Sequence, residues 1–66
     1  MRLNFVKRGD DTFVVAFEGP EGRLTCEISV ARQEGVADRR TQHEKYKEAR
    51  VKLRRLIGDV LKSLST

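Results

Sequence analysis

The chain has one cysteine, Cys26, and one histidine, His43, among its 66 residues. An intrachain disulfide is therefore excluded, and no Cys/His cluster with metal-ligand spacing is present. Neither staple common in small domains is at hand, so packing has to hold the fold. Aromatic residues are also few, three Phe and one Tyr with no Trp, which points to a modest core. No apolar run approaches the roughly 20 residues of a membrane span, and the start Met1-Arg2-Leu3-Asn4-Phe5 lacks the apolar stretch of a signal peptide. A cytoplasmic location without membrane contact is the expectation. At 7.6 kDa the chain has room for a single domain, residues 1–66.

What is present is a change of period part-way along. Over the first thirty residues apolar side chains recur at every second position, which sends them to alternate faces of a strand. Three strands are predicted. Residues 2–7 place Leu3 and Phe5 on one face, and 12–18 place Phe13, Val15 and Phe17 together. Residues 23–30 set Leu24, Cys26, Ile28 and Val30 against Arg23, Thr25, Glu27 and Ser29. Turn residues separate them at Arg8-Gly9-Asp10-Asp11 and Gly19-Pro20-Glu21-Gly22, and connections this short join antiparallel neighbours. Residues 31–38 lose the period and read as a loop, with one helical turn after a Ser29 cap as an option.

At Thr41-Gln42-His43-Glu44 the Thr-x-x-Glu pattern marks a helix start, the Thr oxygen accepting a backbone N–H and the Glu reaching back. Tyr46, Ala49, Leu53, Leu56, Ile57, Val60, Leu61 and Leu64 then recur at spacings of three and four, one stripe on a helix of some 23 residues. Nine apolar residues on a sheet face (Leu3, Phe5, Phe13, Val15, Phe17, Leu24, Cys26, Ile28, Val30) and eight on a helix face have only each other to cover them. The fold class is α+β, a three-stranded antiparallel β-meander packed against one long C-terminal α-helix. Such a helix, about 35 Å long, should overhang strands of roughly 20–26 Å.

Charge divides the chain more sharply than its net +4 suggests. Residues 1–38 carry five basic and seven acidic side chains, residues 39–66 nine and three. The candidate contacts for an anionic partner are Arg39, Arg40, Lys45, Lys47, Lys52, Arg54 and Arg55, since a basic helix can bind a phosphate backbone by releasing counterions. Against that, the cations spread around the whole polar arc. Glu44–Lys47, Glu48–Lys52 and Asp59–Lys62 also have the spacing of surface pairs within a helix. Phe5, Phe13 and Phe17 could form a base-stacking platform, but their parity places them on the face the helix covers. Cys26 alternates in step with Leu24 and Ile28 as a small core residue. His43, at a helix start that disfavours positive charge, has no evident partner. No catalytic, cofactor or metal site is expected.

Val15-Ala16-Phe17 and Gly22-Arg23-Leu24-Thr25-Cys26-Glu27-Ile28-Ser29 resemble a family of short proteobacterial proteins of unknown function, which open with a small meander ending in a Cys-x-Ile-Ser-like strand. The likeness covers under a third of the chain. Beyond Val30 the sequence departs from it, without the family's immediate long helical continuation. The resemblance implies a bacterial source and carries over no site residue. Two functional readings follow from the residues themselves: a non-catalytic module that contacts another protein or its own copy, and, as the alternative, a nucleic-acid-binding module using the basic helix.

Overall fold

A computed structural model describes residues 2–65, so residues 1 and 66 of the expected domain lie outside it. The chain runs β1 (Arg2–Lys7), β2 (Thr12–Gly19), β3 (Gly22–Ser29) and α1 (Gln42–Leu64). The strands form one antiparallel sheet in the order β1-β2-β3, as the short connections require. The first turn closes through the Arg8 and Gly9 N–H groups, which both donate to the Thr12 carbonyl, at 2.9 and 3.3 Å. In the second turn Pro20 and Glu21 join the paired residues Gly19 and Gly22. Gly22 has φ of +146°, a conformation that side chains with a Cβ avoid.

Register stacks the inward side chains in rows across the sheet. Phe13 faces Ile28, Val15 lies between Phe5 and Cys26, and Phe17 lies between Leu3 and Leu24. The Val30 N–H donates to the Asp11 carbonyl at 2.8 Å, which carries the ladder one residue past β3 and seats Val30 in the core. Helix α1 opens with the expected capping box: the Thr41 hydroxyl accepts the Glu44 N–H at 3.1 Å while the Glu44 carboxylate reaches back to the Thr41 N–H. Its first half then lies on the sheet. Phe13, Val15, Ile28 and Val30 are buried with Ala49 and Leu53, while Phe5, Phe17, Cys26, Tyr46 and Ile57 pack around them. Tyr46 meets Phe5 edge-on at 4.9 Å between ring centres and Phe13 at 6.2 Å, a three-ring cluster that fastens helix to sheet. The three Phe rings are thus core or core-flanking and form no open platform.

The expected core is only partly assembled. Of the nine sheet residues, Leu3 and Leu24 remain 54% and 53% exposed; of the eight on the helix, Leu56, Val60, Leu61 and Leu64 are exposed. The cause is length. Eight strand residues span about 26 Å and 23 helical residues about 35 Å, so the second half of α1 runs past the sheet, which gives a body of 41 × 25 × 15 Å. The radius of gyration, 13.6 Å, exceeds the roughly 11 Å of a compact chain of this length. Between β3 and α1 the loop holds one turn, closed by Val36 N–H donating to the Gln33 carbonyl at 3.1 Å, with Gly35 at φ +88°. No helical turn follows Ser29. Its hydroxyl accepts the Ala31 N–H at 3.4 Å and the chain continues without regular structure.

A fold of this size should be stable by only about 3–10 kcal/mol, and losing a buried Phe costs about 3–5 kcal/mol. Phe13→Ala is therefore expected to unfold most of the chain at 25 °C, while Val51→Ala, on the polar side of α1, should stay within about 0.5 kcal/mol of the parent. Thermal denaturation followed by circular dichroism checks both, and a cooperative melt of Phe13→Ala at the parent midpoint would remove Phe13 from the core.

Candidate functional site

The seven cations marked in the sequence divide into two groups. Arg40 turns inward, its side chain only 10% exposed. Its guanidinium donates to both oxygens of Asp38, to the Val30 carbonyl at 2.7 Å and to the Glu48 carboxylate. A planar fork with five donors suits such a set of acceptors, which an ammonium could not span. Lys45, 8% exposed, sits 2.8 Å from Asp11 Oδ1 and 3.7 Å from Asp38 Oδ2. That Asp11 oxygen is shut off from solvent and accepts no well-directed hydrogen bond, so the Lys45 charge is its compensation. Lys52 donates to the Ser29 carbonyl at 2.9 Å. These three cations clip the loop, the β1–β2 turn and the end of β3 to the first half of α1.

Electrostatics in this cluster follows from the contacts. The Arg40 guanidinium hydrogen-bonded to Asp38 holds that carboxyl well below the usual carboxylate range, and Asp38 in turn raises Arg40. The Asp11 contact raises Lys45. Asp38, Arg40 and Lys45 are each shifted toward their charged forms, an arrangement suited to holding a loop rather than moving a proton.

Arg39, Lys47, Arg54 and Arg55 remain exposed, and among the described residues none of them has an ion-pair partner. Arg50, also exposed, lies over the Tyr46 ring at 5.8 Å. Nor do the three pairs expected along the helix surface form. Glu48 is taken by Arg40 and Lys52 by Ser29, because partners fixed by the tertiary fold outcompete flexible neighbours one turn away. Cys26 is half-buried, and burial pushes its thiol pKa up, the opposite of what a nucleophile needs. His43 is exposed in the first turn of α1. Among the described residues no group of three His, Cys, Asp or Glu could hold a metal ion, and no helix is long and apolar enough to cross a membrane.

The other notable surface is apolar and lies at the far end of the molecule. Where α1 leaves the sheet, a cleft of about 500 Å³ opens between the β2–β3 hairpin and the helix, floored by Phe17, Leu24 and Ile57. A second, of about 330 Å³, lies on the β1 side between Leu3 and Phe5 and the helix residues Tyr46, Leu53 and Ile57, with Arg50 and Arg54 at its rim. Ile57 is the last helix residue to line either one. Beyond it Val60 and Leu61, one turn on, and Leu64, a further turn on, extend the stripe into solvent. The alternation and helical spacing gave these residues their faces but not their exposure. Comparison of the chain with protein-family models, curated proteins and solved structures gives no match, so the site stands on its own residues.

The Asp38 pair predicts how the fold responds to acid. Its folded-state pKa is depressed, so its contribution is present above the ordinary Asp value of about 3.9 and is lost as pH falls through the lower folded value. Asp38→Asn should melt below the parent at pH 7, and the gap should close as pH falls below about 4. Melting curves from pH 7 to pH 2 test this; a gap constant across the range would mean that the carboxylate is not what Arg40 recognises.

Proposed function

We propose that the chain is a non-catalytic, cytoplasmic module of bacterial origin that works by contacting protein through the apolar surface at the hairpin end. One observation carries the reading: Leu24 and Leu3 are exposed at the two clefts, and Leu56, Val60, Leu61 and Leu64 are exposed on the apolar stripe of the helix. Exposed apolar residues scattered singly mean little, but an apolar stripe that continues the core-facing side of a helix is the kind of surface a partner covers. The chemistry of the chain supports it from the other side. The half-buried Cys26 thiol, its pKa raised, and His43, exposed in the first turn of α1, favour a non-catalytic module.

The competing reading, nucleic-acid binding, rests on the four unpaired cations Arg39, Lys47, Arg54 and Arg55. They do not converge on one line. At 100° per residue Lys47 and Arg54 share a flank of α1 and Arg55 lies about 100° away, while Arg39 belongs to the loop. The rings beside Arg54, Phe5 and Tyr46, are half-buried and packed edge-on against each other rather than open for stacking.

A photo-cross-linking residue placed at Leu61 is expected to give protein adducts in cells, whereas the same residue at Arg39 gives few. In parallel, amide NMR spectra titrated with duplex DNA and with RNA at two salt concentrations should show no salt-dependent shifts over residues 39–55. Absence of protein adducts at position 61, together with binding whose log K falls with log[salt] at a slope of about −4, as four phosphate contacts would give, would replace the proposal with the nucleic-acid reading.

A further inference from the structure

Building on the protein-contact reading, we infer that the occupant of the apolar end is a second copy of this chain, in a two-fold dimer where the overhanging helix end of each protomer fills the hairpin cleft of the other. Two observations carry it. The first is area. The chain has 5535 Å² of accessible surface, whereas a folded monomer of 7.6 kDa has about 4300 Å². The excess of about 1200 Å², shared between the exposed 31–39 loop and the helix overhang, leaves room for the roughly 800 Å² that each partner contributes to a stable interface.

The second is shape. Knob and hole are on the same chain but cannot meet within it, because Ile57 is the last residue of α1 to line the cleft while Leu61 and Leu64, 60% and 77% exposed, stand one and two turns farther on. A two-fold axis repeats each contact, so one fit of Leu61 and Leu64 against Phe17, Leu24 and Ile57 is made twice.

Sedimentation equilibrium of the full chain is expected to show a mass that rises with concentration to twice 7.6 kDa. Replacing both Leu61→Glu and Leu64→Glu should raise the dissociation constant at least about tenfold. Because these side chains are exposed in the protomer, its circular dichroism and dilute melting point should not change. A mass of 7.6 kDa up to about 1 mM, or a dimer indifferent to the double Leu variant, would overturn the proposal. A monomer that still cross-links to other proteins through position 61 removes only the dimer; a monomer with no adducts removes the protein-contact reading as well.

Discussion

The fork of Arg40 decides which half of the helix is seated. By joining Asp38, Glu48 and the Val30 carbonyl in one plane, it ties the loop, the end of β3 and the second turn of α1 at a single point. Lys45 adds the β1–β2 turn through Asp11. The capping box fixes the direction in which the helix leaves that point, and the Phe5–Phe13–Tyr46 rings take up the contact a turn later. With the start of a long helix held at one end of a short sheet, its other end has nothing beneath it. The small core, the two clefts and the bare leucines are consequences of that single anchorage.

Much of the architecture is legible in residue order. Period-two alternation places all three strands to within a residue of where they lie, and Thr41-x-x-Glu44 marks the helix start, because both signals are local: one is the geometry of an extended chain, the other a hydrogen bond across three residues. The inward and outward faces are legible for the same reason. How far along those faces contact extends is not. A leucine at position 61 has the same spacing whether a sheet, another chain or water lies against it, so the stripe predicts a face and says nothing of its cover.

The ion cluster shows the same boundary from the charged side. Arg40 and Lys45 look like solvated cations in the sequence, since their partners Val30 and Asp11 come from 10 and 34 positions away. Only the fold brings those groups together. Once it does, the basic half of the chain is less available than its composition implies, because two of its charges are already neutralised by carboxylates of the acidic half. Charge counted along a sequence is gross charge, and a partner meets what the fold leaves uncompensated.

The overhang of α1 also bears on how such a chain can change over generations. Tyr46, Ala49, Leu53 and Ile57 serve the core, so a substitution at one of them alters stability and whatever the molecule does together. Val60, Leu61 and Leu64 are exposed and lie outside the core cluster. Selection on that segment is uncoupled from selection on folding, and the set of surfaces it recognises can drift or be replaced while the domain beneath it keeps its shape.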